Sequence, residues 1–160
     1  MGLDHGGDKL NKEDLVKIVT AAALNVDIDP VLACAVVSHE SSWSPWAARY
    51  EPAFYARYID SMKNLTPTEK SLRATSFGLF QLMGQTAREF GFDGEYLTEL
   101  CDPINAIWGA RKLKKCIDLH PGDQEAALLS YNGGGDANYG KAVLAFYNDF
   151  AYLNSATRRP

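Results

Sequence analysis

The sequence predicts an all-α fold in a single domain, with room for a small β element in its loops. Apolar residues recur at helical spacing along most of the chain, and the alternation typical of strands is nearly absent. The chain has 160 residues, of which 46% are hydrophobic, which suits one sizeable core but not two full domains. We place this domain at residues 8–155.

Two capped helices are predicted near the start. Residues 11–25 begin with a capping-box pattern, an asparagine followed three residues later by an aspartate, and continue with apolar residues at helical spacing. The step Asp29-Pro30 then opens a second helix, because aspartate caps helices well and proline is favoured in the first turn. This helix is expected to run to Glu40, near its C-terminal end.

The remaining elements follow from start and stop signals. Residues 42–65 are rich in aromatic residues without a clear period, which predicts an irregular segment with a helical turn or two. One further helix is predicted to start at Thr66-Pro67, and another is predicted by apolar spacing from Phe77 to Phe90, with its end at Gly91. The next helix is predicted to start at Asp102-Pro103 and to stop at His120-Pro121-Gly122. The last two are predicted over residues 123–131 and 139–150.

Charge excludes several function classes. The net charge of -4 is spread evenly along the chain, so the sequence indicates no basic face for a nucleic acid. The densest basic run is interpreted as the solvated face of a helix, without a function: Arg111, Lys112, Lys114 and Lys115. No apolar run has the length of a membrane span, and the first residues lack a secretory signal, so we expect synthesis in the cytoplasm and no membrane insertion.

The three cysteines match no zinc spacing and do not form a disulfide framework. On a continuous helix Cys101 and Cys116 would lie about 22 Å apart, far beyond disulfide distance. Cys34 is expected to be a small buried hydrophobe. We therefore predict three free thiols.

The segment VVSHESSW places an acidic residue, Glu40, among apolar neighbours. In a helix, its same-face neighbours are Val36, Val37 and Trp43. Desolvation favours the protonated form of a carboxyl group, and a protonated carboxyl is what general-acid cleavage of an acetal needs. The alternative is a glutamate at a helix end turned outward to water.

Three other motifs predict no chemistry. His39-Glu40 begins a zinc-protease pattern, but Trp43 stands where the second histidine belongs. Residues 135–141 resemble a phosphate-binding loop, but Ala142 replaces the required Ser or Thr. The sequence does not pair a catalytic nucleophile with a histidine base at any of its three histidines, which are His5, His39 and His120.

Four segments form an ordered series: Glu40-Ser41, Ser76-Phe77-Gly78-Leu79-Phe80-Gln81, Asp102-Pro103 with Asn105, and Ser130-Tyr131-Asn132-Gly133-Gly134. In this order they resemble the Glu-Ser, Gly-Leu-Met-Gln, Asn-Ile and Ala-Tyr-Asn-Ala-Gly motifs of the family 23 glycoside hydrolases, which include soluble-type lytic transglycosylases and goose-type lysozymes. The resemblance spans roughly residues 15–150. Phe80 replaces the usual Met and Ala106 the usual Ile, but no polar catalytic group is missing.

The resemblance implies a lysozyme-like α fold with a cleft for strands of N-acetylmuramic acid and N-acetylglucosamine. Glu40 would protonate the glycosidic oxygen, and the muramoyl 6-hydroxyl would attack its own anomeric carbon to give a 1,6-anhydro product. No metal or cofactor takes part. Residues 49–55 look like those of phage transglycosylases, which makes Glu51 a possible second carboxylate.

The resemblance also implies roles for other residues by position. The Tyr131 hydroxyl is expected to orient Glu40 or the sugar, Ser41 to hydrogen-bond near the Glu40 carboxyl, and Gly78 to let the backbone approach the ligand. The expected substrate-binding residues are Ser41, Ser76, Gly78, Gln81, Met83, Asn132 and Tyr139. Each also has a structural alternative, such as a helix-end hydroxyl for Ser41 and a core aromatic for Tyr131. The tryptophans Trp43, Trp46 and Trp108 are interpreted as core.

The leading hypothesis is a peptidoglycan lytic transglycosylase that acts on the bacterial cell wall as a monomer. A phage endolysin or tail-associated lysin fits a chain without a signal peptide, as does a bacterial enzyme exported by another route. A hydrolytic muramidase that uses Glu51 to position water is an alternative on the same bond. A non-catalytic glycan-binding module is disfavoured because it has no need to keep Glu40.

Overall fold

The computed structural model describes residues 10–157, with side chains up to residue 154, so residues 8–9 of the predicted domain and His5 lie outside the described residues. The helices are α1 Lys12–Asn25, α2 Pro30–Ser41, α3 Pro52–Phe54, α4 Pro67–Arg73, α5 Gly84–Glu89, α6 Ala106–Leu119, α7 Gln124–Tyr131, α8 Tyr139–Leu144 and α9 Tyr152–Thr157. A π-helix at Tyr55–Ile59 and 3-10 turns at Leu97–Cys101, Pro103–Asn105 and Tyr147–Phe150 complete the helical part. The all-α prediction is confirmed.

The small β element is a three-stranded antiparallel sheet. Its strands are β1 Ala48–Tyr50, β2 Thr75–Phe77 and β3 Leu82–Met83, in the order β1-β2-β3. Ser76 in the central strand pairs with Arg49 on one side and with Met83 on the other. These three residues therefore form one row across the sheet, with side chains on the same face.

Helix α2 forms the centre of the larger core. Asp29 caps it by accepting a hydrogen bond from the Val31 N–H at 2.9 Å, as predicted. Val36 and Val37 have no exposed surface, since α2 packs against α1, α8 and the turn at Tyr147–Phe150. The helix ends at Ser41, so its last turn carries Glu40.

The chain leaves α2 through two consecutive left-handed residues, Ser42 and Trp43, with φ of 49° and 66°. The Trp43 indole N–H donates to the Ser38 hydroxyl at 2.8 Å, and its ring packs on Phe150 with centroids 5.5 Å apart. Such backbone conformations cost free energy in residues other than glycine, so they persist where the surroundings fix them. Here the buried Trp43 side chain does so.

The helix predicted over Phe77–Phe90 forms only in its second half, and its first seven residues are not helical. The chain instead forms the β2–β3 hairpin, and helix α5 begins only at Gly84. The hairpin turn contains Gly78 and Gln81 with φ of 71° and 46°, and a Cβ on Gly78 would lie 2.3 Å from the Leu100 carbonyl oxygen. The apolar residues gave a helical spacing because both faces of this short hairpin are buried.

Two other predicted helices are interrupted. Helix α6 is preceded by the 3-10 turn Pro103–Asn105, and the helix predicted over 139–150 ends at Leu144 before the turn Tyr147–Phe150. The predicted starts at Thr66-Pro67 and Asp123 are confirmed by capping hydrogen bonds to backbone N–H groups. Among residues 10–157, no helix is long and apolar enough to cross a membrane.

The core consists of two apolar clusters. The larger surrounds α2 and includes side chains of α1, α6, α7 and α8, and the smaller lies beneath the sheet and includes Leu97 and Leu100. Phe77 and Leu82 of the hairpin belong to the smaller cluster, whereas Phe80 in its turn belongs to the larger one. The hairpin therefore joins the two clusters.

The thiol and tryptophan predictions have mixed outcomes. All three cysteines are free and buried, as predicted, and Cys34 has no exposed surface. Trp43 is buried, and Trp108 is partly buried against Phe92. Trp46 is 75% exposed, so its assignment to the core is wrong. It lies in the loop before β1, outside both clusters.

Candidate active site

A cleft of about 280 Å³ lies between the sheet and the helices of the larger cluster. It is lined by Glu40, Arg49, Glu51, Phe54, Ser76, Gln81, Met83, Lys112, Tyr131 and Asn132. Most of the predicted site residues meet here, although the chain separates them widely. Ser41, Gly78 and Tyr139 are the predicted residues that do not line the cleft.

Glu40 presents a half-buried carboxyl group at the end of α2. Its Oε1 accepts a 2.5 Å hydrogen bond from the hydroxyl of Tyr139, the first residue of α8. Burial raises the pKa of Tyr139, and the neighbouring Tyr131 and Glu40 together with the hydrogen bond raise it further. The phenol therefore stays protonated and acts as a fixed donor to Oε1 of Glu40.

The contact predicted for Tyr131 belongs to Tyr139. The Tyr131 hydroxyl instead donates to the carbonyl of Phe80 at 2.7 Å, and the side chain is only 2% exposed. The two tyrosine rings stack with centroids 6.4 Å apart, which leaves Tyr139 the one directed at Glu40. The hydroxyl that contacts Glu40 is therefore that of Tyr139 and not that of Tyr131, whereas a role of Tyr131 toward the sugar stays a prediction.

Ser41 and Gly78, which do not line the cleft, have roles within the fold. The Ser41 hydroxyl donates to the Val37 carbonyl at 3.2 Å, one turn back along α2, and it is buried away from the cleft. Such back-bonding is common for serine in helices. Gly78 is required by its positive φ and by the close approach of the Leu100 backbone rather than by a ligand.

The sheet supplies the opposite wall of the cleft. Its row of Arg49, Ser76 and Met83 faces the cleft, and Arg49 Nε lies 2.6 Å from Glu51 Oε1. The Gln81 side-chain amide N–H donates to the carbonyls of Ala47 and Gly78, both at 3.0 Å, and ties the hairpin turn to the start of β1. This amide nitrogen is therefore used within the fold.

Asn132 provides a polar group with an unmet hydrogen-bond capacity. Its Nδ2 is buried, and it has no hydrogen-bond partner among the described residues. Buried donors in native structures are nearly always paired. Asn132 lines the cleft, but Nδ2 itself has almost no accessible surface, so this donor meets a ligand only when the side chain turns toward the cleft.

Lys112 was wrongly assigned to a solvated helix face. It is half-buried and lines the cleft, whereas Arg111 and Lys115 of the same run are exposed. Its Nζ lies 4.1 Å from the ring centroid of Tyr131. Burial lowers the pKa of Lys112, and the nearby Cys116 and Glu40 only partly offset this.

A sequence signal could have found Lys112, because it lies three residues after Gly109 and four before Cys116, on the same face of α6. Both of these residues are buried. Arg49 and Phe54 were also missed as cleft residues, although both lie in the segment that resembles phage transglycosylases. In the described part of the chain, no group of three or more His, Cys, Asp or Glu side chains is arranged to hold a metal ion.

Comparison with known proteins agrees with this arrangement. Residues 17–148 match the transglycosylase SLT domain family. A protein of Enterobacteria phage PRD1 described as a transglycosylase is 32% identical over 134 residues, which is 80% of this chain. The chain spans 38% of the length of that relative. No solved structure gave a significant match.

Proposed function

Because the chain belongs to the transglycosylase SLT domain family, we propose that it is a peptidoglycan lytic transglycosylase. Its substrate would be the β-1,4 bond between N-acetylmuramic acid and N-acetylglucosamine, and its product a 1,6-anhydro-muramoyl end. The observation that carries this proposal is the carboxyl of Glu40, held in the cleft by the Tyr139 hydroxyl at 2.5 Å. The transglycosylase of phage PRD1 supports the same reaction class.

In this reaction Glu40 acts first as an acid and then as a base. The protonated carboxyl gives its proton to the glycosidic oxygen as the bond to the anomeric carbon breaks. The muramoyl 6-hydroxyl then attacks the same carbon, assisted by the 2-acetamido group, and returns its proton to the Glu40 carboxylate. Because the nucleophile belongs to the substrate, its effective concentration exceeds that of a solvent molecule.

The surrounding side chains support this chemistry. The Tyr139 hydroxyl stabilises the carboxylate formed after proton transfer and fixes its orientation. The Asn132 amide offers a donor to an acetamido carbonyl or a carboxylate, and Ser76 offers a hydroxyl from the opposite wall. Met83 and Phe54 supply apolar surface for sugar rings.

A hydrolytic muramidase is the second candidate, and one observation favours it. Glu51 lines the same cleft as Glu40, so a second carboxylate is present to activate water. The 2.6 Å ion pair with Arg49 opposes this role, because it occupies one carboxylate oxygen. We therefore place the lyase reaction first.

We further propose that residues 8–155 form the catalytic domain, which acts as a monomer on peptidoglycan strands of the bacterial wall. The match to a phage protein supports an endolysin or a tail-associated lysin. Export of a bacterial enzyme by another route is the alternative.

Mass spectrometry of the sugars released from purified peptidoglycan tests the proposal. Lytic transglycosylation yields muropeptides roughly 18 mass units lighter than those from hydrolysis, since no water enters the products. Anhydro ends in the wild-type digest, absent from a digest by a Glu40→Gln variant, are the expected result. Ordinary reducing ends, together with loss of activity in Glu51→Gln, would establish the muramidase instead.

A further inference from the structure

The cleft holds four charged side chains, and three of them have a partner. Glu40 accepts from Tyr139, and Glu51 pairs with Arg49. Lys112 is the exception: no carboxylate oxygen within the described range lies within 4 Å of its Nζ. The fold therefore keeps one unpaired ammonium group in its cleft.

Such a group is costly. Burial removes water from the ammonium, and the charge of Glu40, more than 4 Å away, compensates this only in part. The Tyr131 ring, with its centroid 4.1 Å from Nζ, compensates in part through a cation–π contact. Lys115, on the same helix, avoids this desolvation because it is exposed.

A second, independent observation lies beside the first. The residue after Tyr131 is Asn132, whose buried Nδ2 has no acceptor among residues 10–157. Lys112 and Asn132 both line the cleft, one on α6 and the other directly after α7. A carboxylate that enters the cleft would accept from the Lys112 ammonium, and a turn of the Asn132 side chain would bring its amide N–H to the same group.

We propose that Lys112 and Asn132 form a carboxylate subsite, which selects muramoyl strands over unsubstituted amino-sugar strands. This inference rests on the proposed function. A strand of N-acetylglucosamine alone is uncharged, whereas N-acetylmuramic acid carries a lactyl group whose carboxylate is free or linked to a peptide stem. The shared chemistry is the carboxylate, and its two sources are the lactyl group and the peptide stem.

Binding to the inactive Glu40→Gln protein tests the subsite without turnover. Three probes are compared by calorimetry: peptide-free glycan strands, peptide-bearing strands and a chitin hexasaccharide. Adding Lys112→Met is expected to weaken binding of one or both carboxylate-bearing probes by about tenfold or more and to leave the hexasaccharide within about twofold. Selective loss for peptide-free strands assigns the lactyl carboxylate, and selective loss for peptide-bearing strands assigns the stem.

Two further variants serve as controls. Lys112→Arg keeps the charge and is expected to retain selectivity, whereas Lys115→Met removes an exposed lysine of the same helix and is expected to change nothing. Circular dichroism confirms that each variant is folded. An equal loss on all three probes, or no loss on any, would overturn the subsite.

The proposed function can fail separately from this inference. If the wild-type protein releases no anhydro products from peptidoglycan, the lyase assignment fails, whatever the binding data show. If the wild-type protein does release them and Lys112→Met binds all three probes like its parent, only the subsite fails.

Discussion

The hydroxyl of Tyr139 reaches Oε1 of Glu40 at 2.5 Å from a position 99 residues further along the chain. The acid therefore depends on a residue of α8, even though its own helix ends one residue later. The His39 ring packs edge-on against the Tyr139 ring, with centroids 5.0 Å apart, and holds it from the side. The position of the Glu40 carboxyl is therefore set by packing between α2 and α8.

We expect Tyr139→Phe to lower kcat by roughly 10- to 100-fold while the protein remains folded, because a hydrogen bond to a charged group is worth about 1.5–3 kcal/mol. Turbidity clearing of peptidoglycan measures the rate. Tyr131→Phe is the matched control: it leaves the Phe80 carbonyl without its buried donor and is expected to lower Tm while keeping most of the activity. The reverse ranking of the two activities would contradict the assignment to Tyr139.

Glu40→Gln is expected to lower activity by about two to four orders of magnitude, because the amide keeps the shape and removes the transferable proton. The thermal melt should stay close to that of the wild-type protein. Glu51→Gln is the comparison variant, and under the lyase mechanism it retains far more activity than Glu40→Gln. A Glu40→Gln protein that clears peptidoglycan at the wild-type rate would refute the role of this glutamate.

The ion pairs of Glu69 should make the free energy of unfolding depend on pH in the acidic range. Burial raises the pKa of Glu69, but hydrogen bonds and charges from Arg88 and Arg73 lower it by more, so the net pKa is below its usual 4.5. Arg73 Nε and Arg88 Nε lie 2.9 and 3.0 Å from Glu69 Oε1, which joins α4 to α5. The folded state thus favours the charged form.

Because the pKa of Glu69 is lower in the folded state, its ion pairs stabilise the protein more at high pH than at low pH. The stabilisation is complete above the unfolded pKa and is lost as the pH falls through the lower, folded pKa. Chemical denaturation should show Glu69→Gln less stable than the wild-type protein by roughly 1–2 kcal/mol at pH 7. The difference should shrink below about pH 4.5. A difference that stays constant down to pH 2 would exclude this origin.

The thiols should react only after unfolding. Burial raises the pKa of Cys34 to about 12 and also raises that of Cys101, so neither forms the reactive thiolate near neutral pH. Thiol titration of the denatured, unreduced protein should count three groups, and the native protein should react slowly at pH 8. A count of one in the denatured sample would show a disulfide.

Short sequence patterns correctly predicted the elements that are stabilised by contacts between residues close together in the chain. The caps at Asp29 and Thr66 are formed by side chains that bond to backbone only two or three residues away, so the sequence alone specifies them. The location of Glu40 near a helix end followed from the same signals. The ordered motifs then brought most of the cleft residues together correctly.

The misassignments share a physical cause, which is contact between distant segments. The apolar residues of Phe77–Phe90 suit a helix as well as a buried hairpin, and the choice depends on the backbone of Leu100 against Gly78. Likewise, the choice between Tyr131 and Tyr139 as the partner of Glu40 depends on which ring the Phe80 carbonyl engages. Neither relation leaves a local pattern in the sequence.

The packing of Trp43 on Phe150 sets a limit on how far the chain can be shortened. A fragment that stops after Tyr139, the last residue that contacts Glu40, would retain every side chain of the cleft. It would nevertheless lose the aromatic ring that holds Trp43, and with it the support for the left-handed turn directly after the acid. A shortened form of this protein that keeps this turn must therefore extend at least through Phe150.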